Sequence, residues 1–216
     1  LYNIIKYVSK SGVSMNINTT YTKIITGEDL METAQHGSTL YPFQFYYEDL
    51  SVFDFNCIEW HWHTELEFIY IESGTVTLWI GEDQFHLTEG NGIFINTKVL
   101  HRLYSPSKAL IPNFVFMPSF IAPCDSLIYQ KYILPIISSS LPFLVFHKKV
   151  CWQAKVLSIM RQIISAQDSV LSKELLTSSL LQNLWLEIFE NTDISYQEEH
   201  KDHSTASQAR LQLMLQ

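Results

Sequence analysis

The sequence predicts a mainly β domain, a barrel or sandwich, followed by an α-helical element. Three observations carry this. Strand-like runs recur at roughly eight- to twelve-residue spacing between residues 41 and 118, each closed by a glycine, proline or polar turn. Beyond Pro118 the apolar spacing changes from a period of two to a helical one. Within the β region, His61 and His63 stand one residue apart, Glu67 follows, and His101 closes the stretch. Side chains at i and i+2 of a strand share a face, so the first two imidazoles project together. The third joins them only if the chain folds back on itself, as a barrel does.

The elements follow in order. Residues 1–30 show little periodicity: SGVSMNINTT (11–20) reads as loop and 21–25 as a short strand. In 36–50, Tyr41, Phe43, Phe45 and Tyr47 alternate with Gln44 and Tyr46, an aromatic-rich strand, and Pro42 sets its start or an edge. FNCIEWHWH (55–63) is the next strand; if regular, it carries Cys57 and Glu59 on the His61 face. LEFIYIES ends at Gly74 and TVTLWIG at Gly81. EDQ is a hairpin connection into FHLTEG, and GIFINT, LHRLYS and ALIPNFVFMP complete the β region.

Asp125 is the expected N-cap of a helix over 125–139, which Pro135 should kink or end. LPFLVF (141–146) reads as a return strand. Trp152, Val156, Ile159, Ile163 and Ile164 place a helix over 152–166. A second long helix spans 173–190. Leu176, Leu180, Leu184 and Ile188 form one row, with Leu181, Trp185 and Phe189 beside it. So wide a stripe covers either two surfaces, the barrel and a partner subunit, or the core of one helix pair. Residues 191–207 are polar and read as a linker. QARLQLMLQ (208–216) turns amphipathic again and reads as the start of a further domain.

Composition narrows the function classes. Of 216 residues, 47% are hydrophobic and 17% charged, enough apolar material for a packed core. The formal net charge of −8 argues against this chain gripping a phosphate backbone. Cys57, Cys124 and Cys151 are irregularly spaced and fit free thiols of a reducing compartment. No apolar run reaches the roughly 18 residues of a membrane span, and no signal peptide is read at the start. A cytoplasmic protein without membrane contact is expected.

Two motifs resemble a known family. His61-x-His63-x3-Glu67-x6-Gly74 is similar to the first cupin motif at full spacing. Glu89-Gly90-Asn91-Gly92, with Asn96 and His101, is similar to the second, but Asn96 stands where a proline is common and Ser105 where the final asparagine would be. HGSTLYPFQFYYED, HWHTELEFIYIESGTVTLWI, LTEGNGIFINTKVLHRL and IYQKYILPII resemble the sensor domain of AraC-family transcriptional regulators, from about residue 31 onward. The resemblance implies a cupin double-stranded β-helix (a jelly-roll barrel) over 31–120, after an N-terminal extension over 1–30. A helical dimerisation region over 121–191, a linker over 192–207 and, from 208, the start of a truncated DNA-binding domain would follow. It implies a small-molecule effector, a homodimer through residues 152–190, and DNA contact only through the missing domain.

The resemblance also implies that His61, His63, Glu67 and His101 hold a divalent metal: Zn, Ni, Fe, Mn or Co suits such a ligand set. The same four side chains could instead serve as the hydrogen-bonding wall of an effector pocket. Glu59, Tyr70 and Trp79 join them as ligand-binding candidates, whereas Arg102 beside His101 should point outward. Packing is expected of Trp60, Trp62 and Trp79, and a surface or loop position of His36, His86, His147, His200 and His203. Two function classes result: a sensor that biases an attached DNA-binding domain, or a small metal-dependent cupin enzyme, a dioxygenase or isomerase. The paired helices, the polar linker and the amphipathic ending favour the sensor.

Overall fold

The computed structural model describes residues 5–8, 14–17 and 21–192. Two strands come first, β1 Ile5–Val8 and β2 Ser14–Ile17, paired antiparallel with Ile5 opposite Ile17. Residues 14–17 are therefore strand, not loop; four residues give too short an alternation to stand out. The strand expected over 21–25 is absent. That segment finds no partner strand, and only an isolated bridge joins Thr26 to Glu32. From residue 193 the expected linker and terminal helix lie outside the described residues.

The barrel strands are β3 Phe43–Asp49, β4 Cys57–His61, β5 Leu66–Tyr70, β6 Thr75–Ile80, β7 Asp83–Thr88, β8 Gly92–Ile95, β9 His101–Tyr104 and β10 Leu110–Phe116. The return strand is β11 Phe143–Phe146. They form two antiparallel sheets, ordered β11-β8-β5-β10-β3 and β4-β9-β6-β7. This is the cupin-type jelly roll that the sequence resemblance implies. Gly74 closes the β5–β6 connection at φ +88, where a Cβ would meet Lys108 O at 2.7 Å, so only glycine fits.

Between the sheets, Ile69, Ile93, Ile95 and Ile111 meet Ile58, Val76, Leu78 and Leu103. The other face of the five-stranded sheet is a phenylalanine layer: Phe43, Phe68, Phe94, Phe114, Phe116 and Phe146 are all buried. Phe68 stacks on Phe114 at 5.4 Å. Helices α2 (Cys151–Ala166) and α3 (Lys173–Asn191), the second and third of the chain, bury Val156, Leu157, Met160, Leu181 and Trp185 against this layer. Each fully buried phenylalanine contributes about 2–3 kcal/mol. A sheet covered on both faces explains why LIPNFVF and LEFIY read as nearly continuous apolar runs. Pro112 is tolerated inside β10 because β10 pairs with β5 only from Asn113 to Phe116, leaving an open edge beside the proline.

The stretch between barrel and long helices departs from expectation in two ways. Ser126, not Asp125, caps it: Ser126 Oγ accepts from the Tyr129 N–H at 3.2 Å. The helix also passes through Pro135. A π turn over Tyr129–Ile133 leads into the short α1 Leu134–Ile137, and this wider turn accommodates a ring with no N–H to give. Along α3, Leu180, Leu184 and Ile188 are buried as predicted, but Leu176 is 41% exposed, and Leu175 and Leu186 also face solvent. Among the described residues no helix is long and apolar enough to cross a membrane.

Candidate metal and ligand site

The site begins with an irregularity in β4. Ile58 lies opposite Leu103 and His61 opposite His101, so Glu59 and Trp60 together face Arg102 alone. This β-bulge turns both Ile58 and His61 into the barrel although they are three residues apart. Cys57 and Glu59 are thereby placed on the outside, not on the His61 face. Glu59 pairs with Arg102 at 3.0 Å, and Arg102 lies over Trp79 at 5.1 Å, all on the outer face of the four-stranded sheet. Tyr70 faces the helices, beneath Arg161. The expected ligand role of Glu59, Tyr70 and Trp79 inside the barrel is thus excluded by where their strands point them.

The four motif residues do converge. His61, His63 and His101 each offer a nitrogen, and these atoms lie within 4.8 Å of one another. Glu67, on the adjoining β5, brings Oε2 to 3.4 Å from His63 Nε2 and 3.1 Å from His101 Nε2. All four side chains are buried. The opposite nitrogen of each ring is fixed by the backbone. His61 Nδ1 meets Glu59 O at 2.8 Å, His63 Nδ1 meets Glu65 O at 3.2 Å and His101 Nδ1 meets Val99 O at 2.9 Å. A carbonyl only accepts, so each Nδ1 carries the proton. Each ring therefore turns its Nε2 edge toward the other two and toward Glu67.

Electrostatics sharpen this arrangement. Burial, reinforced by His101 and His63, pushes His61 well below the ordinary imidazole value, so it stays neutral. Burial would raise Glu67, but the His101 and His63 rings against it, where they carry a proton on Nε2, outweigh burial and hold the carboxyl well below the usual range. His101 Nε2 has no hydrogen-bond partner; Glu67 Oε2 is close but off its donor direction. Lone pairs crowded around a buried anion call for a cation between them. A divalent metal fits that donor set, and the backbone carbonyls hold each ring in the orientation it needs.

Beyond the imidazoles the barrel mouth is lined by Tyr21, Glu32, His36, Tyr46, Glu48 and Asn113. Glu48 accepts from Tyr21 O–H at 2.7 Å and from Asn113 Nδ2 at 2.9 Å. Burial raises its carboxyl to about 7, although these two donors oppose the shift. His36, read as a surface or loop histidine, is buried: Nδ1 meets Tyr46 Oη at 2.9 Å and its ring lies edge-on to His63. The segment over 21–36 crosses the mouth. Trp62 Nε1 donates to Asp29 O at 2.8 Å, and Glu32 N donates to Trp62 O at 2.9 Å. The cavity left is about 30 Å³, and among the described residues no Lys or Arg lines it. The one sequence signal for these residues was the second face of β3, where Tyr46 and Glu48 alternate with the aromatic row.

The family described as AraC-like ligand binding domain matches residues 44–185. The uncharacterized HTH-type transcriptional regulator YdeC of Bacillus subtilis (strain 168) is 24% identical over 143 residues, 64% of this chain and 48% of the relative. The chain thus spans about half the length of that curated relative. Among solved structures, ToxT of Vibrio cholerae O395 is similar over 70% of this chain and 56% of its own, at 11% identity and a TM-score of 0.47. A cupin-2 domain containing protein from Shewanella frigidimarina NCIMB 400 is similar over 38% of this chain and 81% of its own, at 20% identity and a TM-score of 0.31.

Proposed function

The chain belongs to the family of AraC-like ligand binding domains, and we propose that it is the sensing half of a transcriptional regulator whose barrel ligand is a divalent metal ion. One observation carries the metal: three imidazoles, each held through Nδ1 by a backbone carbonyl, aim their free nitrogens at one another beside Glu67. His61, His63, His101 and Glu67 would hold it, and Zn, Ni, Fe or Mn suits that set. Bound there, the ion would supply a fixed positive charge that neutralises Glu67 and ties β4, β5 and β9 together.

Size and charge support the ion as the signal. Inside the barrel a cavity of about 30 Å³ is roughly the room of one water, whereas pockets for organic ligands are about 300–1,000 Å³. A molecule added to the metal in this state is limited to a few atoms. The carboxylates of Glu32 and Glu67 at the lining, joined by Glu48 once pH passes about 7, disfavour an anionic ligand. A larger effector reaches the imidazoles only with Tyr21 and Glu32 displaced from the mouth.

The family favours detection of a ligand over its turnover, so the metal-dependent enzyme is the lesser reading. Control of transcription would operate through a helix-turn-helix domain and a homodimer built on residues 152–190. Exposed Leu175 and Leu186 on α3, with Val170 and Leu171 just before it, supply apolar surface for a second copy. Metal content after purification without chelator tests the central claim. About one equivalent per chain, or its uptake on titration with zinc chloride, is expected. Less than about a tenth of an equivalent with no uptake overturns it.

A further inference from the structure

Asn96 stands where the cupin-like motif commonly has proline, and the structure gives the departure a use. Asn96 follows β8 directly and is 4% exposed. Its backbone N–H donates to Pro142 O at 2.9 Å. Its side-chain Nδ2 donates to Leu141 O at 2.9 Å and to Ile136 O at 3.2 Å, and Oδ1 accepts from the Thr97 N–H at 2.8 Å. Proline could make none of the first three bonds. All three run to the helical element, at α1 and at the turn entering β11.

The other end of the same short segment belongs to the imidazole cluster. Lys98 N–H donates to His63 O at 2.7 Å, and Val99 O accepts from His101 Nδ1 at 2.9 Å. Lys98 adopts φ +61, a left-handed conformation that a non-glycine residue keeps only when its surroundings enforce it. Val99 and Leu100 are buried. Residues 96–100 thus form a strap without slack, hydrogen-bonded to His63 and His101 at one end and to residues 136–142 at the other.

Resting on the sensing reading above, we propose that Asn96 is the positioning residue through which occupancy of the imidazole cluster is transmitted to the α1–β11 segment, and from there to α2. A ligand that draws His63 and His101 together loads this strap. The same bonds make the effect reciprocal: a change at α1–β11 alters affinity at the cluster by the same factor. In the Asn96→Ala variant Ile136 O keeps Ser139 Oγ as donor at 2.7 Å, so the loss falls mainly on Leu141 O.

Hydrogen exchange read by mass spectrometry, with and without zinc chloride, tests this on the full chain. In the wild type, zinc should slow exchange at 96–104 and, by about fivefold or more, at 134–146. In Asn96→Ala the slowing should persist at 96–104 and fall clearly at 134–146, where only the backbone bond to Pro142 O remains. Slowing confined to 57–67 and 96–104 in the wild type overturns the proposal, as does undiminished slowing at 134–146 in the variant. If zinc is not taken up, the metal reading fails by itself, and the strap is tested from its inner end without metal. His101→Ala should then speed exchange at 134–146, and should add less once Asn96 is already alanine. No change at 134–146 in His101→Ala overturns the coupling.

Discussion

His61 and His101 stand opposite each other across β4 and β9, their ring centroids 4.1 Å apart. They meet because the ladder slips just before them; a regular β4 that turned Ile58 inward would point His61 out of the barrel.

The pairing makes a ligand-deletion series informative. His63→Ala and His101→Ala should each weaken zinc binding by more than about 100-fold, beyond the 10- to 100-fold typical of losing a second-shell partner. His86→Ala, on β7 and bonded to Thr77 Oγ1 well away from the cluster, should leave zinc affinity unchanged. Competition titration against a chromogenic chelator reads both, and equal affinities in all three variants would remove the cluster from consideration.

Metal binding should appear as stability. An ion that binds only the folded chain stabilises it by about 2.7 kcal/mol at a hundredfold excess over Kd. The melting temperature should rise with zinc and fall back with EDTA. A melt indifferent to both would count against a buried site.

Glu48 should impose a pH dependence of its own. Its folded value of about 7 lies above the ordinary 4.5, so the folded state binds the proton more readily than the unfolded chain. The resulting stability is complete below about 4.5 and is lost as pH rises through about 7. In EDTA, Glu48→Gln should flatten the wild-type decline between pH 5 and pH 8, a difference of the order of 2–3 kcal/mol. Parallel denaturation curves for the two proteins over that range would show that Glu48 ionises freely.

Self-association should depend on the outer face of α3. Leu175 and Leu186 are eleven residues apart, about three helical turns, and so share one face. The wild type should sediment at twice 25.1 kDa. The doubly substituted Leu175→Glu, Leu186→Glu chain should sediment at 25.1 kDa without loss of melting temperature. A wild type that remains a single 25.1 kDa species at high concentration rules the interface out.

Much of this molecule was legible from spacing alone. The barrel strands could be read because turns punctuate them, and the quartet because His-x-His and the later histidine sit at motif distances. What stayed hidden was which way residues point. A single bulge moved Cys57 and Glu59 to the outside, and no residue type announces a bulge. Tyr70 and Trp79 lie outside the barrel for a related reason: aromatic residues occupy both faces of these strands. Glu48 and Asn113 were overlooked because a sheet buried on both sides gives apolar runs in which one polar residue looks incidental. His36 looked like a loop histidine because its burial depends on Glu32, Tyr46 and His63, which only the closed barrel brings near it.

The phenylalanine layer has a consequence for cooperativity. Phe43, Phe68, Phe114 and Phe146 are packed by α2 and α3 on one side and belong to barrel strands on the other. The helices therefore have no core apart from the barrel sheet, and heat or denaturant should melt the two in one transition. A fragment cut before residue 143 would strip the last strand from β8 and bare the aromatic layer at once, leaving an unpaired edge beside a greasy face. Such a piece should aggregate before its binding behaviour could be measured.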